Sequence, residues 1–344
     1  MYEFKDSLYP KSHLWGFPVE DTTNLHILNP LSKNWLLINF SSIYSKITRN
    51  RIGDLLIEVS ILLKIKEYES IYCISGRLFW IPLLKKLGLI QSKLLILIYR
   101  LPPPTPFWKL HDLHHSRFLL SAYDGINCLT SYTKNKLKAL LPKNINIEFL
   151  EWCTDTMFYS NICTDNNYYF FSSGKTNRDF RTLIQAAQKN RNMQFVVIGH
   201  FGDELMNLAP PNMKIIQSTA NQTDTAISYS ELKDYYSKSI AVCIPLNDDP
   251  EDTCGYTELL ESMAMGKPVI KAKTGCLDVN IEEENVGYYY EPHNPYDLSN
   301  KLKLISNDHA TAERLGRNGK NLVNEKYNID VYRYRVKRFI DKIN

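Results

Sequence analysis

The chain of 344 residues carries 41 basic and 37 acidic side chains, a net charge of +4, with 44% hydrophobic and 23% charged residues. That is an ordinary globular composition, long enough for two α/β domains, and the small charge excess gives no ground for nucleic-acid binding. The longest apolar run, residues 94–99, falls far short of the roughly 20 residues needed to span a bilayer.

Seven cysteines are present without any C-x-x-C pair, and several sit inside apolar runs. This pattern suits buried thiols in a reducing compartment better than a disulfide framework. Met1 is followed by acidic and basic residues rather than an apolar signal core, so a cytoplasmic protein is expected. The modest positive charge is compatible with peripheral contact at the inner face of a membrane.

The first thirty residues are punctuated by Pro10, Gly16, Pro18 and Pro30, and only a weak strand is expected at residues 1–5. Residues 12–16 read either as a loop facing a ligand or as Trp15 covering a core edge. Residues 35–40 read as a strand and 53–65 as an amphipathic helix. Strands at 71–75 and 94–99 flank a helix through 81–87. Lys46, Arg49 and Arg51 read as a solvated basic face or as a contact for anionic lipid.

The proline-rich run 101–108 reads as stiff polyproline. Residues 109–120 follow, with His111, Asp112, His114 and His115. Helical spacing would put His111 on one face with His114 or His115, which suits a metal pair, a histidine aimed at a ligand, or plain helix surface. No H-E-x-x-H and no matching cysteine ligand accompanies them, so no metal is expected. A strand at 125–130, a helix at 133–140 and a strand at 145–150 complete the first half. The polar stretch from Ser160 to Asn167 sets the expected boundary, giving domains at 1–158 and 159–326 and a final basic helix within 327–344.

The second half restarts the alternation: strand 168–172, helix 180–188, strand 194–198, strand 214–217, helix 230–237 and strand 239–246. Strands alternating with helices predict parallel sheets. The loop after the strand at 168 carries Gly174, Lys175 and Arg178. After the strand at 239, Cys254-Gly255-Tyr256-Thr257 opens a helix with Leu259, Leu260, Met263 and Ala264 at helical spacing, and Gly266 ends it. Both loops would lie at carboxyl ends of parallel strands, where such sheets bind ligands. Two cations and the free N–H groups of a helix start together suit a nucleoside diphosphate. Glu261 is the carboxylate suited to a ribose diol, or only to the helix dipole, and Glu258 could serve the sugar, the ribose or the dipole. A last strand is expected at 288–291, followed by helices at 298–305, 310–326 and 330–343. P-loop, G-x-G-x-x-G and G-x-S-x-G patterns are absent, which disfavours P-loop, dinucleotide and hydrolase chemistry.

The segment C-G-Y-T-E-L-L-E-S-M-A-M-G-K-P-V-I resembles the donor-site signature of retaining GT-B glycosyltransferases of the group 1, or family 4, type. Ser173 to Phe180 resembles that family's diphosphate loop, Trp152 to Phe158 its G-x-D-x-x-x-F segment with Cys153 in place of glycine, and Leu315-Gly316-Arg317-Asn318-Gly319 its C-terminal helix motif. The resemblance implies two Rossmann-like parallel-sheet domains facing a cleft, with the last helix crossing back to the first domain. It implies sugar transfer, with retention, from a nucleotide diphosphate sugar to a hydroxyl of a glycan or lipid-linked acceptor, as in surface glycan or glycolipid synthesis. The resemblance further implies a UDP- or GDP-type nucleotide sugar as donor, without cofactor or metal.

Its donor ligands would be Gly174, Lys175, Arg178, Cys254, Gly255, Tyr256, Thr257 and Glu261, with Glu261 on the ribose. His111 or His114 and Glu258 would face the transferred sugar. The family's second glutamate, eight residues before the ribose glutamate, is replaced by Thr253, for which Asp252, Glu251 or Glu258 would have to stand in. That departure motivates a catalytically inactive nucleotide- or sugar-binding scaffold as the alternative. An inverting enzyme using Asp112 or a histidine as base is a third reading.

Overall fold

The structure, a computed structural model, describes residues 9–14, 35–48, 54–74, 78–100, 117–160, 169–218 and 227–344. The chain forms two compact units, one of residues 18–151 with 334–344, the other of residues 1–17 with 152–333.

In the unit of residues 18–151, four strands form a parallel sheet in sequential order: β1 (Ser70–Ile74), β2 (Lys93–Ile98), β3 (Gly125–Cys128) and β4 (Asn146–Phe149). β2 is a run of leucine and isoleucine buried along almost its whole length, as befits a strand covered on both faces. The helices α1 (Trp35–Thr48), α2 (Leu55–Lys64), α3 (Trp80–Lys86), α4 (Arg117–Leu120) and α5 (Ser131–Leu140) accompany it. Ile61, Ile81, Leu94, Ile96, Ile126 and Leu137 meet in its core.

One buried acid stands in that core. Glu58 on α2 is 1% exposed and accepts hydrogen bonds from the Phe79 and Ile81 amides, at 3.0 and 2.8 Å, at the start of α3. Burial pushes its carboxyl up to about 7.

The expected strand at 35–40 is instead the first half of α1. The apolar run Trp35 to Phe40 is too short to separate strand from helix by periodicity. It continues through Ser41 to Thr48 without glycine or proline, so the helix propagates over 14 residues. The expected strand at 1–5, the proline run 101–108, and His111, Asp112, His114 and His115 lie outside the described residues.

The other unit contains a parallel six-stranded sheet of order β10-β9-β8-β5-β6-β7. Its strands are β5 (Tyr169–Gly174), β6 (Phe195–Gly199), β7 (Met213–Gln217), β8 (Ser239–Ile244), β9 (Val269–Ala272) and β10 (Gly287–Tyr290). From β5 the chain winds outward through β6 and β7, then returns to β8 on the other side of β5. β5 and β8 therefore flank the topological switch point, where loops diverge and leave room for a ligand. The helices are α6 (Phe180–Lys189), α7 (Asp203–Leu208, not anticipated from the sequence), α8 (Tyr229–Ser237), α9 (Tyr256–Ala264), α10 (Pro295–Asn307) and α11 (His309–Lys326). The last helix, α12 (Ile329–Ile343), contributes residues to both units.

Tyr9 and Lys11 are fixed to this unit. The Lys11 amide donates to Asp155 at 2.7 Å, and the Tyr9 ring meets Tyr229 edge-on at 5.5 Å. Asp155 also accepts from the Met157 and Phe158 amides, holding the turn that presents Tyr159. No helix among the described residues is long and apolar enough to cross a membrane.

Candidate donor site at the switch point

The loops after β5 and β8 are sewn to each other. The Asp179 amide donates to the Pro245 carbonyl at 3.1 Å, and the Asn247 amide to Asn177 at 3.3 Å. Asn177, held at φ 53°, turns its side-chain amide onto the Asp252 carboxylate. Asp252 is 3% exposed and its other oxygen accepts from the Cys254 amide at 3.2 Å.

Gly255 begins α9 in the left-handed region, at φ 82°, and a Cβ there would lie 2.7 Å from Ile244. Glycine meets both demands, and it leaves the helix start without a capping side chain. The first-turn N–H groups lack intrahelical acceptors, as at any helix start.

The cation-bearing loop is asymmetric. Lys175 is exposed. The Arg178 guanidinium is turned inward, its side chain only 7% exposed. It donates to the Ser173 carbonyl at 3.1 Å, to the Thr176 carbonyl at 3.0 Å and to Glu258 at 2.9 Å. Gly174, at φ 149°, makes room for it, since a Cβ there would lie 2.2 Å from an Arg178 nitrogen.

Glu258, 4% exposed, also accepts from the Ser173 amide at 2.6 Å. Burial raises its carboxyl above the usual range, while Arg178 and the Ser173 amide pull the other way. In this arrangement Glu258 ties β5 to α9 and orients Arg178.

Glu261, one turn along α9, is 4% exposed. It accepts from the Tyr159 hydroxyl at 2.7 Å and the Tyr236 hydroxyl at 3.0 Å. The Tyr236 hydroxyl also lies 3.3 Å from Ser173 Oγ. One polar chain thus runs Tyr159–Glu261–Tyr236–Ser173–Glu258–Arg178, joining the turn after residue 155, α8, β5 and α9.

Of the sequence-derived candidates, Gly174, Lys175, Arg178, Cys254, Gly255, Tyr256, Thr257, Glu258 and Glu261 all occur in these two loops and on α9. Thr257 is exposed, Tyr256 is buried, and the Cys254 amide is engaged by Asp252. Two tyrosines were not singled out from the sequence. Tyr159 and Tyr236 look like core aromatics in any one-dimensional reading, and only the fold brings them to Glu261.

Lys271 was missed too, although a lysine inside the apolar run P-V-I-K-A was a visible signal. It is 3% exposed and donates to the Ala272 and Thr274 carbonyls at 3.1 and 2.6 Å. Burial, with Arg178 nearby, lowers its ammonium to about 8. Among the described residues no group of three or more metal-ligating side chains gathers.

Cys73, Cys128, Cys153 and Cys243 are buried free thiols. Cys153, standing where the resembled motif has glycine, is 1% exposed, and burial pushes its thiol well above the usual range.

Two parallel-sheet α/β units, the second of them doubly wound with paired loops at its switch point, define a Rossmann-like class. Residues 159–322 match the family described as glycosyl transferases group 1. Over that stretch, a little under half of the chain, the protein is similar to group 1 glycosyltransferases. It is 25% identical over 201 residues to an uncharacterized glycosyltransferase of Methanocaldococcus jannaschii, a match covering 57% of this chain and only about half, 54%, of that relative.

Among solved structures it resembles sucrose-phosphate synthase from Thermosynechococcus elongatus, with TM-score 0.60 and 16% identity over 89% of this chain and 78% of that one. It also resembles Anabaena HepE in complex with UDP, with TM-score 0.63 and 13% identity over 83% and 82% of the two chains. The fold is that of GT-B proteins, two Rossmann-like units of parallel sheet.

Proposed function

We propose that this protein is a glycosyltransferase that binds a nucleoside diphosphate sugar at the β5/β8 switch point and transfers the sugar to an acceptor hydroxyl with retention of configuration. The observation that carries the reading is the meeting of the Lys175–Arg178 loop with the Gly255-led start of α9. Lys175 and the N–H groups at the start of α9 would stabilise charge on a leaving diphosphate, with Arg178 held at the base of the same loop by Glu258. Neutralisation by these groups is the reason no metal enters the proposal.

Glu261 is the ribose ligand in this reading, and the leaving phosphate oxygen receives the acceptor proton, so no separate general base is required. UDP-glucose is the first donor to try, since HepE has been solved in complex with it. A surface glycan or lipid-linked acceptor fits the resembled family.

The reading is tested by offering a panel of nucleotide sugars and measuring released nucleotide and glycosylated product. Turnover with at least one donor, giving an α-linked product from an α-donor by anomeric NMR, supports it, and a β-linked product replaces retention with inversion. A second reading, a catalytically inactive nucleotide-binding scaffold, draws on Thr253 in place of the family glutamate and on Glu258 being committed to Arg178. Nucleotide binding without turnover of any donor favours that one.

A further inference from the structure

Glu261 does not stand alone. Its two carboxylate oxygens each receive one tyrosine hydroxyl, from Tyr159 at 2.7 Å on Oε1 and from Tyr236 at 3.0 Å on Oε2. Both tyrosines are fully buried, at 0% exposure. Rotating the carboxylate about its terminal torsion would break both bonds, so its plane is fixed from two sides.

The hydroxyls are fixed in turn by their rings. Tyr159 lies edge-on to Phe158 at 4.9 Å and to Tyr236 at 6.3 Å, and Tyr236 lies edge-on to Phe171 at 5.0 Å. Burial first, and the Glu261 charge second, hold both phenols well above their usual range, so each remains a donor.

We propose that Tyr159 and Tyr236 are positioning residues that set the Glu261 carboxylate for a ribose diol, so that discrimination of a ribonucleotide from its deoxy counterpart depends on two tyrosine hydroxyls. This rests on the donor-binding reading above and adds a specificity device to it. A merely structural pair would affect stability and leave discrimination untouched.

The test uses the full chain, its Tyr159→Phe and Tyr236→Phe variants, and calorimetric titration with UDP, GDP and ADP and their 2′-deoxy counterparts. Wild type is expected to hold the ribose form about tenfold tighter or more, the scale of a charge-assisted hydrogen bond. Each phenylalanine variant is expected to reduce that ratio to about threefold or less. An unchanged ratio in folded variants overturns the proposal. So does a wild-type ratio of one, a measurement that needs no variant and stands even where the substitutions prevent folding. Failure of all three ribonucleotides to bind wild type is a different result and overturns the donor-binding reading itself.

Discussion

The Tyr159 hydroxyl, from the turn held by Asp155, lies 2.7 Å from the Glu261 carboxylate on α9, so a residue just before the six-stranded sheet fixes a residue on the helix that follows β8. The sequence separation of the pair is 102 residues, and neither its partner nor its distance was visible before folding. This contact, with Tyr236 opposite, makes Glu261 a held rather than a mobile acid.

Replacing Glu261 by Ala should weaken binding of a nucleoside diphosphate by about ten- to a hundredfold, the value of one or two hydrogen bonds to a charged group. Calorimetry on wild type and variant checks it. The same variant leaves two buried tyrosine hydroxyls without their acceptor, so its thermal midpoint should also fall.

Arg178 and Glu258 form an ion pair whose side chains are 7% and 4% exposed. Removing one member of a buried pair leaves the other charge uncompensated, a loss of about 3–5 kcal/mol. Glu258→Ala should therefore lower stability to denaturant by about that amount. A loss below about 1 kcal/mol would show that solvent reaches the pair.

At position 174 any Cβ meets the Arg178 guanidinium, on a backbone at φ 149°. Gly174→Ala should cost about 1–3 kcal/mol in strain and displace Arg178 from Glu258. The same substitution at the exposed Gly202, where a Cβ meets nothing within 4 Å, is the control.

Glu58 supplies a pH dependence. Its folded-state carboxyl is raised from 4.5 to about 7 by burial, so folding favours the protonated form. The stability this contributes is fully present below 4.5 and is lost as pH rises from there through about 7. Thermal midpoints should fall across that window in wild type, and Glu58→Gln should flatten the slope. Equal slopes would contradict the assignment.

Much of the six-stranded unit was legible in the sequence because its strands are short, mostly apolar and bounded by polar turns. Gly255 before Leu259, Leu260 and Met263 marked a helix start, and Lys175 with Arg178 marked a cationic loop. The direction of Arg178 was not legible. A cation in a loop reads as facing solvent or ligand, and only the fold shows that Gly174 lets it turn inward onto Glu258. Residues 35–40 failed for another reason, since a short apolar run carries no period and the helix is decided by its continuation through Ser41 to Thr48. Lys271 was passed over because a strand pattern hides one cation, and its partners are backbone carbonyls that no side-chain pattern records.

Lys175 is the exposed cation of the loop. Lys175→Ala should weaken a nucleoside diphosphate more than the matching monophosphate, because the β-phosphate supplies the extra negative charge. Equal losses for the two ligands would remove Lys175 from the diphosphate site.

The central claim is that the loop after β5 and the start of α9 together bind a nucleoside diphosphate. Its most direct test is titration of UDP, GDP and ADP into the wild-type chain, repeated on the Glu261→Ala variant. The account predicts saturable binding of at least one of them, with affinity lost in the variant. Binding of none, or binding that the variant leaves unchanged, would contradict it.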